Sequence, residues 1–152
     1  MGFSIASLCS QNPISHLTFI SQCVIVCIME KLTTKWFKKW AKKSKLKDKD
    51  LLETIENLKD GLSTADLGSN LFKVRVKREN SGKSSGFRTI VVYKENERAI
   101  FLYGFGKNEK ENITKTELLY FKKLGNDFLA LSPNEIKQLI ENMSLFNIEV
   151  EE

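Results

Sequence analysis

The centre of the sequence contains the stretch Leu71-Phe72-Lys73-Val74-Arg75-Val76-Lys77. Apolar and cationic side chains alternate along residues 72–77, and this period of two predicts a β-strand with one packed face and one cationic face. Like charges next to each other on a strand face repel, so the pattern adds nothing to the stability of the strand alone. A bound polyanion would relieve that repulsion. We therefore predict that the cationic face binds an anion, with a merely solvated basic face as the alternative.

Two further strands are predicted on the C-terminal side of this stretch. A small, polar, turn-forming loop spans residues 79–86 and should join antiparallel neighbours. Residues 87–93 then form a strand that carries Arg88, and residues 99–106 form another after a second turn. The basic excess of the chain is concentrated on this sheet, because residues 68–107 contain nine Lys or Arg and only three Glu.

Two helices are predicted on the N-terminal side. Residues 31–49 contain nine Lys and one Asp. Apolar side chains recur there at helical spacing, at Trp36, Phe37, Trp40 and Ala41. The lysines then occupy the opposite face, which is solvated, turned toward phosphates, or both. A second apolar stripe over residues 51–58, with Asp48 as N-cap and Gly61 as the C-terminal stop, completes a helical hairpin.

The C-terminal third predicts two more helices. Thr114 with Glu117, and Ser132 with Glu135, have the spacing of capping boxes, and an apolar stripe follows each. Residues 146–150 alternate and predict a short closing strand. We therefore expect residues 29–152 to form one α+β domain in the order β-α-α-β-β-β-α-α, with a twisted antiparallel sheet, an N-terminal helical hairpin and C-terminal helices.

Residue types separate positions 1–28 from the rest of the chain. The three Cys and the single His all lie there, and the first charged residue is Glu30. Residues 29–152 therefore offer no disulfide, thiolate nucleophile, His base or Cys/His zinc site, and we expect neither a metal nor a cofactor. The chain has 24 Lys and Arg against 19 Asp and Glu. That balance, with an isoelectric point near 9.1, favours an anionic partner.

We interpret residues 1–28 as an uncharged, non-native extension, with Met29 as the start of the domain. Their apolar run from Leu17 to Ile28 is 12 residues long, whereas a bilayer span needs about 20. No cation precedes the run, unlike in a secretory signal. A membrane-tethering segment is the alternative for residues 1–28, and we expect the protein to be cytoplasmic, without membrane contact.

Three blocks in this order make the sequence recognisable: residues 71–76, 82–88 and 101–109. Over residues 29–150 the chain resembles the RelE/ParE toxin superfamily, and most closely its RelE/HigB-type branch of bacterial toxin-antitoxin toxins. The resemblance implies two helices packed on a twisted antiparallel sheet. It also implies a ribosome-dependent endonuclease that cuts mRNA in the decoding site. Its expected partners are the ribosome with mRNA and a cognate antitoxin, a helix-turn-helix protein, that silences it.

By position, the resemblance places the catalytic basic residues at Lys73, Arg75, Arg88 and Lys107. RNA cleavage by 2′-OH attack needs a base, a proton for the leaving 5′-oxygen and cations for the phosphorane. Neighbouring cations favour the neutral form of a lysine, so Lys73 is the candidate base. Arg88 would clamp the scissile phosphate, and Lys107 would add charge or the proton. Six other cations are expected to bind RNA or the ribosome: Lys77, Arg78, Lys83, Lys38, Lys39 and Lys42.

Two departures from the family leave the general acid and base open. RelE uses a tyrosine in its last segment, and the matching residues 113–116 contain none, so Tyr93 and Tyr103 are the alternatives. The histidines of some HigB-type toxins have no counterpart after residue 28.

Two other functions also stay open at this point. ParE-type members of the superfamily poison DNA gyrase without cleaving RNA, and the missing tyrosine and histidines are compatible with a degenerate RNA-binding module. Cations that converge on one phosphate favour RNA, because a gyrase poison has no need of them.

Overall fold

A computed structural model describes residues 29–62, 64–77 and 86–149 of the chain. The interpretation of residues 1–28 and the candidate RNA contacts Arg78 and Lys83 fall outside these residues. The elements follow in the order β1 (Glu30–Thr34), α1 (Lys35–Lys43), α2 (Asp48–Lys59), β2 (Thr64–Gly68), β3 (Leu71–Val76), β4 (Phe87–Lys94), β5 (Arg98–Gly106), α3 (Lys115–Ala130), α4 (Pro133–Glu141) and β6 (Leu145–Asn147).

The six strands form one mixed sheet in the order β2-β3-β4-β5-β1-β6. The pairs β2–β3, β3–β4 and β4–β5 are antiparallel, as is the pair of β1 with β6. Strand β1, however, runs parallel to β5, with Glu30 opposite Arg98. The expectation of a purely antiparallel sheet is therefore wrong at this pair. β1 is not joined to β5 by a tight turn, so nothing in the local sequence sets their relative direction.

Helices cover both faces of the sheet, which gives two hydrophobic cores. On one face, α1 and α2 bury Phe37 and Ile55 against Val74 and Phe101. On the other, α3 and α4 bury their apolar side chains against Leu71, Ile90 and Ile100. The prediction of one packed and one cationic face for β3 is therefore only partly right. Leu71 lies on the same face as Lys73 but is fully buried.

Close helix packing depends on a glycine at one position in each core. A Cβ on Gly104 of β5 would lie 2.2 Å from Cζ3 of Trp40 on α1. A Cβ on Gly125 of α3 would lie 3.0 Å from Cγ2 of Val92 on β4. Since real Cβ contacts are not that short, a larger residue at Gly104 would displace the indole ring.

The helix ends follow the predicted capping with one exception. Both capping boxes form, at Thr114 with Glu117 and at Ser132 with Glu135. Gly61 has a φ of 71° directly after the C-cap of α2, as a C-terminal stop requires. Asp48 is not the N-cap of α2, which is Lys47. The Asp48 carboxylate instead accepts a hydrogen bond from the backbone N–H of Glu149, at 2.9 Å.

Arg98 fastens β5 to the neighbouring elements. Its guanidinium is buried, and it donates to the backbone carbonyls of Phe128 and Leu131 at 2.6 and 2.9 Å. It also forms an ion pair with Glu30 of β1 at 3.2 Å. One member of the basic excess of this sheet thus has a structural role, closing the C-terminal end of α3.

Among the described residues, no helix has the length and apolar character that crossing a membrane requires.

Candidate functional site

The basic residues of β3 and β4 meet on the sheet face that α3 and α4 cover. Arg75 lies directly opposite Arg88 in the antiparallel register, and Lys73 lies opposite Ile90. Residues two apart on a strand share a face, so Lys73, Arg75 and Arg88 all project to the same side. Ile90 belongs to the core beneath α3, which identifies that side.

These three side chains line an open pocket of about 330 Å³ together with Thr64 and Ala65 of β2. We call it the basic pocket. Among the described residues its lining contains no carboxylate, so its positive charge is compensated by no acidic group of the lining itself. A pocket with one lysine and two arginines at its surface is suited to a phosphate.

Gly86 sets the position of Arg75 in this pocket. A Cβ at Gly86 would stand 3.0 Å from Nε of Arg75 and 3.1 Å from the carbonyl oxygen of Val76. The Nε of Arg75 is buried and has no hydrogen-bond partner among the described residues. The absence of a side chain at Gly86 therefore lets the arginine lie close to the backbone at the start of β4.

The loop that follows β5 contacts Lys73 on the same face of the sheet. The Nζ of Lys73 donates a hydrogen bond to Oδ1 of Asn112 at 3.3 Å. The same oxygen accepts from the backbone N–H of Ile113 at 2.9 Å. Lys107 begins this loop, directly after Gly106, which pairs with Phe87 beside Arg88. The Lys107 side chain is exposed and is not part of the pocket lining.

The other described candidate cations do not converge on the basic pocket. Lys77 is exposed at the end of β3, where it borders a small cleft with Asp50 and Glu53 of α2. Helix α1 packs on the opposite face of the sheet, so its lysines are directed away from the pocket. One of them, Lys38, lies 4.4 Å from the centre of the Phe146 ring, while Lys39 and Lys42 are exposed.

The two tyrosines left open by the sequence lie on different faces of the sheet. Tyr93 belongs to the core under α1 and α2, and burial raises its pKa. Tyr103 pairs with Ile90 and so shares the face of the basic pocket. Its ring stacks on that of Trp36, with 4.7 Å between the ring centroids, and its centroid lies 5.7 Å from Nζ of Lys110. Tyr103 is therefore the tyrosine on the site's side of the sheet.

An ion pair between Lys110 and Glu117 fixes the loop to the first turn of α3. The hydrogen bond from Lys110, followed by one from the backbone N–H of Thr114, lowers the pKa of Glu117 below its ordinary 4.5. In the described part of the chain, no cluster of three or more His, Cys, Asp or Glu could hold a metal ion.

Sequence reasoning missed the neutral residues of this site. Thr64 and Ala65 belong to β2, whose short sequence lacks apolar alternation, and Asn112 lies in a loop with no periodic pattern. Gly86 was visible only as part of a turn-forming loop. Gly86 directly precedes a predicted strand, and a glycine at such a position is a signal that could have suggested a close approach of another group to the backbone.

Comparison with known proteins gives one family match. A family model described as the RelE toxin of the RelE/RelB toxin-antitoxin system matches residues 29–148, which is more than half of the chain. No curated protein matches the sequence. The matched range covers the basic pocket, the loop after β5 and both hydrophobic cores.

Proposed function

We propose that this chain, which belongs to the RelE family of toxins from toxin-antitoxin systems, is an endoribonuclease that cleaves mRNA on the ribosome and thereby inhibits translation. The observation that carries the proposal is the convergence of Lys73, Arg75 and Arg88 on one open pocket. Three cations without a carboxylate in the described lining fit a phosphodiester whose charge increases during the reaction.

The proposed reaction is attack of the ribose 2′-oxygen on the adjacent phosphorus. Lys73 accepts the 2′-hydroxyl proton as the P–O bond forms. Arg75 and Arg88 hold the non-bridging oxygens and stabilise the dianionic phosphorane. The bond to the 5′-oxygen then breaks, and Lys107 supplies the proton to that oxygen. The products are a 2′,3′-cyclic phosphate and a 5′-hydroxyl.

We propose that the candidate cations outside the pocket contact the ribosome rather than the scissile phosphate. Lys38, Lys39 and Lys42 lie on the other face of the sheet, and Lys77 borders α2. Cations at a distance from the reacting phosphate still add sequence-independent affinity for a nucleic-acid surface. Arg78 and Lys83 are proposed to act in the same way.

The family implies a cognate antitoxin as partner, and we propose that it is a helix-turn-helix protein. Co-expression of the chain with the product of the neighbouring reading frame tests this. Growth restored by a helix-turn-helix protein supports the proposal, and growth restored only by a partner of another fold contradicts it.

Primer extension on a defined mRNA in a purified translation system tests the nuclease. Cuts that appear within codons only during translation are expected, with 2′,3′-cyclic phosphate ends. A 3′-hydroxyl end contradicts the metal-independent mechanism. Intact mRNA with continued translation points to a gyrase poison, and intact mRNA with stalled translation points to an RNA-binding module.

A matched pair of double variants assigns the activity to the pocket. Lys73→Ala/Arg88→Ala should abolish cleavage and toxicity. Lys59→Ala/Lys94→Ala removes the same charge from two exposed surface ion pairs and should leave both intact. Full toxicity of the first double variant would overturn the nuclease proposal.

A further inference from the structure

Asn112, in the loop after β5, accepts a hydrogen bond from a cation of the basic pocket. Its Oδ1 lies 3.3 Å from Nζ of Lys73, across a separation of 39 residues. A long, flexible lysine side chain gains a defined position from such a contact, because the acceptor limits its rotamers.

The acceptor is itself held in place. Oδ1 of Asn112 accepts the backbone N–H of Ile113 at 2.9 Å. Ile113 immediately precedes Thr114, the N-cap of α3, and the Lys110–Glu117 ion pair fixes the preceding loop to the same helix turn. The position of the Asn112 oxygen is thus set by contacts at the N-terminal end of α3.

The chemical type of this acceptor matters as much as its position. An amide oxygen is neutral, so it orients an ammonium group without cancelling its charge, whereas a carboxylate at the same distance would form an ion pair. The loop contains two carboxylates close in sequence, Glu109 and Glu111, yet the contact to Lys73 is made by the amide.

We propose that Asn112 is a positioning residue, which holds the Lys73 amine at the basic pocket while leaving the charge of the pocket uncompensated. The inference rests on the proposed function for its place in catalysis, since Asn112 acts through Lys73. Its contribution to RNA binding can be measured whether or not RNA is cut.

Two substitutions separate position from charge. Asn112→Ala removes the acceptor for both Lys73 and Ile113. Asn112→Asp keeps both acceptors and adds a negative charge. Binding of a short single-stranded RNA, measured by fluorescence anisotropy over a range of salt concentrations, should weaken about threefold to tenfold for the alanine variant. For the aspartate variant, the slope of log affinity against log salt should fall by about 0.7, as for one lost phosphate contact.

A double-mutant cycle with Lys73→Met decides whether Asn112 acts through Lys73. In the Lys73→Met background, Asn112→Ala should have no further effect on affinity. Asn108→Ala, an exposed amide in the same loop, is the matched control and should match the wild-type chain in both affinity and salt slope.

The outcomes keep this inference and the proposed function apart. Full additivity of the Asn112 and Lys73 substitutions, an unchanged salt slope for Asn112→Asp, or no RNA binding by the wild-type chain would overturn the positioning role. A wild-type chain that binds RNA with the predicted coupling but leaves translated mRNA intact would overturn the nuclease alone.

Discussion

Arg75 and Arg88 lie directly opposite each other on neighbouring antiparallel strands, on the same face of the sheet. Opposed like charges destabilise a strand pair by about 0.2–1 kcal/mol relative to a neutral pair. The fold therefore contains a local repulsion at the pocket that we propose binds phosphate. Such a conflict between local stability and arrangement is typical of functional sites.

Replacing Arg88 with methionine should separate stability from activity. The substitution keeps an unbranched side chain but removes the charge, so the free energy of unfolding should stay constant or rise by about 0.2–1 kcal/mol. Cleavage of translated mRNA should fall about one-hundredfold to one-thousandfold, because a preorganised cation at the phosphorane is lost. Urea unfolding and primer extension on the same preparation measure both. A lower free energy of unfolding, with unchanged cleavage by the protein that remains folded, would show that Arg88 is structural.

A methyl group at Gly86 should disturb Arg75. In Gly86→Ala the new Cβ would stand 3.0 Å from Nε of Arg75 and 3.1 Å from the backbone of Val76, so the guanidinium must shift. The contacts require a shift of a few tenths of an ångström, so the loss of rate should be smaller than the roughly one-hundredfold that a 1 Å displacement of a catalytic group can cause. Single-turnover cleavage measures the loss.

Gly61→Ala is the control for that substitution. It places an alanine at a φ of 71° with nothing within 4 Å. It should cost roughly 1–2 kcal/mol of unfolding free energy and leave cleavage by the folded protein unchanged. Wild-type activity in Gly86→Ala would show that Arg75 is not positioned by this close approach.

Gly104→Ala should destabilise the domain through Trp40. The Cβ would stand 2.2 Å from the indole ring, a contact that forces α1 or the ring to move. Overpacking of this kind typically costs about 1–3 kcal/mol. Trp40→Leu in the same chain should remove most of that additional cost, which urea unfolding of the single and double variants would reveal as non-additivity. Strictly additive values would mean that the clash relaxes elsewhere.

Acid should weaken the anchoring of the loop at Glu117. The pKa of Glu117 is lowered in the folded protein, so its contribution to stability is present above the unfolded value and is lost as pH falls through the folded pKa. The difference in unfolding free energy between wild type and Glu117→Gln should therefore be full at pH 7 and shrink below about pH 4.5. A difference independent of pH would contradict this assignment. In Lys110→Met the pH-dependent part should be smaller, because the main partner is gone.

Local patterns were sufficient for most of the elements. The alternation of β3, the aromatic spacing of α1 and the capping boxes of α3 and α4 each reflect short-range geometry, which a sequence records directly. β2 was missed because Thr64–Gly68 is polar and half-exposed, and its strand form depends on pairing with β3. The parallel β1–β5 pair was missed because it joins residues 68 positions apart.

The candidate site was predictable where charge alone identifies it. Strand parity places Lys73 and Arg75 on one face, and the resemblance to the toxin family adds Arg88. The lysines of α1 are also cationic but lie on the other face of the sheet. Asn112 could not be found in this way, because it is a neutral loop residue. Only its contact with Lys73, 39 residues away in the sequence, connects it to the site. The side of the sheet that Tyr103 occupies also depends on the bulge in β5 between its pairs with Ile90 and Val91.

The position of β1 between β5 and β6 has a consequence for the timing of folding during synthesis. Glu30–Thr34 emerges from the ribosome early, yet its partners are residues 98–101 and 145–147. Pairings over such distances form late, and a domain folds as a unit once its parts are available. The nascent chain therefore carries an unfinished sheet until residues 145–147 have been synthesised.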